Sequence, residues 1–134
     1  MTDLFTELLA GELSQVEDIN LSYCDLSSVE PALLQAVLSL SHCNLRDCDL
    51  SSEQLTLLLS AMLEEPDLRL KTLDINHNSS ISTVEPGLIQ ALVRLEEFNL
   101  GDCRLTTEQL IVLFRSIQES ADLKLKSLHI TRYA

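Results

Sequence analysis

The sequence has few of the features expected of a disordered or nucleic-acid-binding protein. Among its 134 residues there is no tryptophan, aromatic residues amount to 4%, and there are only 3 glycines and 3 prolines. With 46% hydrophobic residues, this composition predicts a compact chain with an aliphatic core. Basic residues are also scarce, because 9 Lys and Arg stand against 21 Asp and Glu, a formal net charge of −12. Such a charge repels phosphate and anionic lipid, so no nucleic-acid or membrane partner is expected.

No stretch of the sequence has the length of a membrane span. Such a span needs about 18 consecutive apolar residues, whereas the run from Leu33 to Leu40 is interrupted by Gln35 and Ser39. Residues 1–7 carry acids where a secretory signal carries Lys or Arg. We therefore expect a cytoplasmic protein.

The sequence contains an internal repeat. When it is shifted against itself by 55 residues, residues 27–36 align with 82–91 and residues 50–55 with 105–110. Each 55-residue unit holds two copies of the pattern L-x-x-L-x-L-x-x-C/N-x-L, which are alternately 24 or 25 and 30 residues apart. The fourth position of the pattern is occupied by Ile19, Cys43, Leu73, Phe98 and Leu128, and the ninth by Cys24, Cys48, Asn78 and Cys103.

This pattern resembles the leucine-rich repeat of the ribonuclease-inhibitor-like class, found in ribonuclease inhibitor and in Nod-like receptors, over residues 16–133. The resemblance implies an α/β fold, a right-handed solenoid with a parallel β-sheet on its concave face and helices on its convex face. It also implies binding of a protein partner through the concave face, and a sensing or regulatory role in innate immunity.

Each copy of the pattern predicts one strand. The apolar–polar–apolar triplet has the period of a strand that buries one face. Strands are therefore predicted near residues 17–22, 41–46, 71–76, 96–101 and 126–132. We call one strand together with the connection that follows it a coil. A single coil cannot bury its own apolar face, so neighbouring coils must stack. Residues 1–134 are therefore predicted to form one domain.

Helix signals lie between the predicted strands. Ser51-x-x-Gln54 and Thr106-x-x-Gln109 are capping boxes, which precede apolar runs. Pro31 and Pro86 favour the first position of a helix. The expected helices are long ones near residues 52–63 and 107–118, shorter ones near 31–38 and 86–93, and an N-terminal helical cover in residues 1–15.

The four cysteines are predicted to be buried, inert thiols. Cys43 occupies a core position of the pattern, and the other three occupy the ninth position, where a small residue is buried at a turn. No C-x-x-C pair exists, so neither a zinc site nor another cofactor is expected. Cys24 and Cys48 should lie within disulfide range in neighbouring coils, but the expected reducing compartment favours free thiols.

No catalytic constellation is recognisable, so we expect a protein that is not an enzyme. The three histidines, His42, His77 and His129, are predicted at outward strand positions in different rows, too far apart for a metal or catalytic cluster. A GTPase-activating role is an alternative, since proteins of that activity also use this repeat class. It would need Arg46 or Arg104 as the catalytic or orienting group.

The outward side chains of the predicted strands are the candidate binding surface. A non-enzymatic protein–protein interaction through this surface is the leading hypothesis, and a merely solvated sheet face is the other interpretation. The candidate residues are Tyr23, His42, Asn44, Arg46, Asp74, Asn76, His77, Glu97, Asn99 and Asp102.

A third hypothesis is a self-associating scaffold. The last predicted strand has an edge whose backbone groups are free to pair with another strand. Antiparallel pairing with a second copy would form a homodimer through Leu128, Ile130 and Thr131.

Overall fold

A parallel β-sheet organises the part of the chain that the computed structural model describes, namely residues 16–101, 103–120 and 122–130. Within these residues the sheet has five strands in sequence order, each parallel to the next. They are β1 (Asp18–Asn20), β2 (His42–Asn44), β3 (Thr72–Asp74), β4 (Glu97–Asn99) and β5 (Ser127–His129). The predicted helical cover in residues 1–15 lies outside the described residues, as do Asp102 and Thr131.

The strands are shorter than the predicted segments because each one turns after three residues. Beyond the strands, single hydrogen bonds still join neighbouring coils. Tyr23 N–H donates to the Arg46 carbonyl at 2.8 Å, and His77 N–H donates to the Gly101 carbonyl at 2.9 Å. Neighbouring coils therefore remain paired through the turns.

Two kinds of helix alternate between the strands. The α-helices α1 (Ser52–Glu64) and α2 (Thr107–Glu119) have 13 residues each. The shorter connections contain 3-10 helices of 9 residues, Pro31–Ser39 and Pro86–Arg94, with proline in the first turn as predicted. At about 2.0 Å per residue, a 9-residue 3-10 helix spans about 18 Å, close to the roughly 20 Å of a 13-residue α-helix. The tighter helix therefore lets a shorter connection cover nearly the same distance. An additional 3-10 helix, Ser79–Thr83, was not predicted.

Both predicted capping boxes are confirmed. Ser51 Oγ accepts from Gln54 N–H at 3.1 Å, and Gln54 Oε1 accepts from Ser51 N–H at 2.8 Å. Thr106 and Gln109 form the same pair of bonds at 3.1 and 2.9 Å. Each α-helix consequently begins at the residue that its local sequence specifies.

The two capping glutamines also connect each α-helix to the preceding coil. Gln54 is 1% exposed, and its amide nitrogen donates to the carbonyls of Leu26 at 2.8 Å and Val29 at 2.7 Å. Gln109 donates in the same way to Ile81 and Val84. One side chain therefore both caps a helix and satisfies two backbone carbonyls that lie 25 and 28 residues earlier.

An aliphatic core fills the space between the sheet and the helices. The middle residues of β2, β3 and β4 are buried, namely Cys43, Leu73 and Phe98, and Phe98 is among the largest fully buried side chains. Leu55, Leu58, Leu59 and Met62 cover them from α1. None of the helices in the described ranges has the length and apolar character of a membrane span.

The four cysteines are free thiols. Cys43, Cys48 and Cys103 are buried as predicted, whereas Cys24 is half-buried. Cys48 and Cys103 donate from Sγ to the carbonyls of Leu21 at 3.0 Å and Ile75 at 3.2 Å. Burial raises the pKa of Cys43 to about 12 and is also the main cause that raises the pKa of Cys48 to about 11.

Native thiol labelling at pH 8 should therefore show one accessible cysteine and three protected ones. A raised pKa leaves little thiolate at pH 8, and thiolate is the reactive form. We expect Cys24 to react first, and Cys43 at least about 100-fold more slowly than after denaturation in urea. Cys24→Ser should remove the fast phase. Fast labelling of Cys43 in the native protein would contradict the burial described above.

Candidate functional site

One face of the sheet carries polar side chains that are exposed or half-buried. The middle residue of each strand points toward the helices, so the residues on either side of it point away from them. We call this surface the open face. In register it has two rows, the first comprising Asp18, His42, Thr72, Glu97 and Ser127, and the second Asn20, Asn44, Asp74, Asn99 and His129.

In the second row, side chains are held against the ends of the strands. The Oδ1 atoms of Asn44, Asp74 and Asn99 each accept from the backbone N–H two residues later, at 2.9, 2.9 and 3.0 Å. Asn20 makes the same bond to Ser22 at 3.0 Å. This repeated bond starts the turn after each of the first four strands and fixes the orientation of the side chain that accepts it. Groups from neighbouring strands therefore stand about 4.8 Å apart in a fixed order.

Contacts between strands order the first row. His42 Nδ1 hydrogen-bonds with Thr72 Oγ1 at 2.8 Å, and His42 Nε2 lies 3.9 Å from Asp18 Oδ1. At the other end of the sheet, His129 Nε2 lies 3.9 Å from Glu97 Oε1. Each histidine of the open face therefore sits beside a carboxylate on a neighbouring strand.

A shallow depression of about 240 Å³ lies over β2, β3 and β4. Five predicted site residues line it, namely His42, Asn44, Asp74, Glu97 and Asn99. Asp74 and Glu97 make this region acidic, and neither row of the open face contains Lys or Arg. The depression can accept hydrogen bonds and a positive charge from a partner.

The adjacent side chains of Glu96 and Glu97 lie in different environments. Glu97 belongs to the open face, whereas Glu96 Oε1 forms an ion pair with Lys126 Nζ at 3.2 Å. The hydrogen bond from Lys126, together with the charges of Lys126 and Lys71, lowers the pKa of Glu96. These two lysines border the open face at the edge where the strands begin.

Other predicted site residues lie in the turns that follow the strands. Tyr23 and His77 have left-handed backbone conformations, with φ of 65° and 62°, and the Tyr23 side chain is 68% exposed. The prediction of an outward strand position for His77 is wrong, because β3 ends at Asp74, whose side chain bonds to Asn76 N–H and begins the turn. Asp102 lies outside the described residues.

Two of the turn residues have buried polar atoms. Arg46 Nε and Asn76 Oδ1 are buried and form no hydrogen bond with the residues that the structure describes. Arg46 as a whole is half-buried. Arg104, the other arginine considered for a GTPase-activating role, is exposed in the turn after β4, with φ of 54°.

The predicted set of site residues omits three members of the first row, Asp18, Thr72 and Ser127. Asp18 and Thr72 both contact His42, and the register places all three side by side. Asp18 and Thr72 occupy the same position of the repeat as His42, and this equivalence is the sequence signal that could have added them to the predicted set. Across the ranges described, no group of three or more His, Cys, Asp or Glu side chains could hold a metal ion.

A scan against protein-family models and a search of curated proteins each find no match.

Proposed function

We propose that this chain is a non-enzymatic protein-binding module that holds its partner on the open face. The ordered side chains of that face are the observation that carries the proposal. Hydrogen bonds within and between strands already restrain Asn44, Asp74, Asn99 and His42. Side chains that are ordered before binding lose less entropy when a partner arrives.

The proposal includes a leucine-rich-repeat solenoid of the ribonuclease-inhibitor-like class, with the open face as its concave side. Three observations support it: the 55-residue repeat, the sequential order of parallel strands, and the alternation of strand and helix. In such a fold each coil packs against its neighbours, and the sheet forms an extended binding surface.

The partner is expected to be a protein that presents basic side chains. Asp18, Asp74 and Glu97 are the charged residues of the two rows besides the histidines. A Lys or Arg of the partner could reach the depression between Asp74 and Glu97. Nucleic acid and anionic membrane are disfavoured by the net charge of −12.

Removing the two carboxylates of the depression should strongly weaken partner binding without unfolding the protein. We expect the double variant Asp74→Asn, Glu97→Gln to lose at least about ten-fold in retention of the partner, with stability changed by no more than about 0.5 kcal/mol per site. Asparagine at position 74 keeps an acceptor for Asn76 N–H. The measurement is an affinity pull-down from native lysate, quantified by mass spectrometry.

The matched control is Glu64→Gln, Glu119→Gln, at the exposed last residues of α1 and α2. This double variant changes the net charge by the same amount but leaves the open face intact. A protein retained by wild type and control, and lost by the open-face variant, supports the proposal. Equal retention by both double variants would show that the open face is only a solvated surface.

A further inference from the structure

Basic side chains are concentrated at the edge of the sheet where the strands begin. A depression of about 310 Å³ at this edge is lined by Arg69, Lys71, Arg94 and Lys124. We call these four residues the basic edge. Together with the adjacent Lys126 they account for five of the 9 Lys and Arg in the chain. The basic edge is therefore a positive region in a protein whose formal net charge is −12.

The register of the sheet aligns three of these cations. Arg69, Arg94 and Lys124 occupy equivalent positions ahead of β3, β4 and β5. Ahead of β2 the same position holds Ser39, so the repeat accepts a small neutral residue there. The packing of the repeat by itself does not explain a cation at this position ahead of three strands in succession.

The position of the basic edge does not depend on the ends of the sheet. β3 lies between β2 and β4, and β4 lies between β3 and β5. Arg69 and Lys71 directly precede β3, and Arg94 precedes β4. All three residues therefore lie beside inner strands, where the described chain flanks them on both sides and leaves the edge open.

The two acids that line the depression leave it positive. Glu96 is bound by Lys126, whose Nζ lies 3.2 Å from Glu96 Oε1. Asp67 is exposed and forms no ion pair within the described part of the chain. The four cations of the basic edge therefore face two carboxylates, of which one is already neutralised by a fifth cation.

The cations of the basic edge differ in how firmly they are held. Arg94 is half-buried and donates from Nη1 to the Met62 carbonyl, in the last turn of α1. Arg69, Lys71 and Lys124 are exposed, and none of them forms an ion pair with the residues that the structure describes. Arg94 thus supplies a positioned charge, and three exposed cations beside it are available to an anion.

We propose that the basic edge binds an acidic peptide segment of a partner protein. An extended peptide rises about 3.3 Å per residue, and neighbouring strands lie about 4.8 Å apart. About three or four residues of such a peptide therefore span the roughly 10 Å from β3 to β5. A short segment with two or three Asp or Glu residues can meet Arg69, Arg94 and Lys124 together.

The charge of the whole chain favours a short acidic segment over a long polyanion. The phosphates of a nucleic acid would extend beyond the basic edge, where the net negative charge of the protein repels them. A peptide can place its carboxylates at the edge alone. The basic edge is a separate surface from the open face, which attracts basic side chains, so this site does not rest on the function proposed above.

Fluorescence anisotropy with a labelled acidic peptide tests the proposal. The probe is an end-capped, fluorescein-labelled peptide of about six glutamates, long enough to span three strands. We expect it to bind the wild-type chain at about 20 mM salt, and at least about five-fold more weakly at about 200 mM, because salt screens exposed charge pairs. The same labelled peptide made of glutamines should not bind.

Matched variants assign the binding to the basic edge. Arg69→Gln together with Lys124→Gln should weaken binding of the glutamate peptide at least about ten-fold. The control is Arg104→Gln together with Arg115→Gln, which removes two exposed arginines elsewhere on the chain and changes the net charge equally. The control should bind the peptide like the wild type. Circular dichroism should show that both double variants are folded, since each altered side chain is exposed.

The open-face variant separates this proposal from the function proposed above. Asp74→Asn together with Glu97→Gln leaves the basic edge intact, so it should bind the glutamate peptide at least as well as the wild type does. A loss of the protein partner in the pull-down with peptide binding retained would therefore concern the open face alone.

Three results would overturn the proposal. The first is a wild-type chain that does not bind the glutamate peptide at the lower salt. The second is equal weakening by the two arginine and lysine double variants, which would attribute binding to overall charge. The third is tighter binding of an oligothymidylate with the same number of charges, which would assign the edge to nucleic acid.

Discussion

Gln54→Glu is expected to lower the free energy of unfolding by about 3–5 kcal/mol, a large loss for one added charge and no change in size. The amide nitrogen of Gln54 donates to the Leu26 and Val29 carbonyls at 2.8 and 2.7 Å, in a fully buried position. A carboxylate cannot donate, so it would place a negative charge against two carbonyl oxygens. Of the three side-chain hydrogen bonds of Gln54, only the one from Ser51 N–H would remain.

The loss should depend on pH in a defined direction. Burial raises the pKa of the introduced carboxyl in the folded protein above its unfolded value of about 4.3. Below that value the group is neutral in both states, and its O–H can donate one of the two lost bonds. As pH rises through the folded-state pKa, the folded protein must release a proton that it holds more tightly, so the variant loses stability.

Urea unfolding of Gln54→Glu and wild type at pH 4.5 and pH 7.5 measures both effects. Gln35→Glu is the matched control, because Gln35 is exposed on the 3-10 helix Pro31–Ser39. We expect that change to stay within about 0.5 kcal/mol at either pH. The equivalent Gln109→Glu should behave like Gln54→Glu. A stability of Gln54→Glu equal to that of the control would contradict the described bonds.

Phe98→Ala is expected to cost about 3–5 kcal/mol because it empties the centre of the core. Phe98 is the middle residue of β4 and has no exposed surface. Its ring lies among aliphatic residues of the sheet and the helices, which can close only part of the cavity. Phe98→Leu, which introduces the residue that occupies the equivalent position of β3, should lower the free energy of unfolding by less than Phe98→Ala.

Phe114→Ala provides the matched control. It removes the same ring from a side chain that is 55% exposed, so little buried contact is lost. We expect its loss of unfolding free energy to be several-fold smaller than that of Phe98→Ala in the same urea titration. Similar losses for the two phenylalanines would contradict the assignment of Phe98 to the core.

Local signals predicted where the described strands and helices lie, except for the 3-10 helix Ser79–Thr83. The apolar triplets located all five strands, because alternation along a strand is set by the backbone itself. The pairs Ser51–Gln54 and Thr106–Gln109 located the α-helix starts, because a capping box is formed within four residues. Pro31 and Pro86 located the starts of two shorter helices by the same kind of local restriction, although the sequence did not predict that these are 3-10 helices.

Only the tertiary structure determined which residues of different elements contact one another. The bonds from Gln54 to Leu26 and Val29, and the contact of His42 with Thr72, join residues 25 to 30 positions apart. Whether such groups meet depends on the register between coils. Burial also differs between Leu59 of α1, which is fully buried, and Phe114 of α2, which is exposed, although both occupy one position of the repeat. More of the described helices pack against α1 than against α2. A side chain's burial is set by its neighbours in space, and the local pattern around it does not specify them.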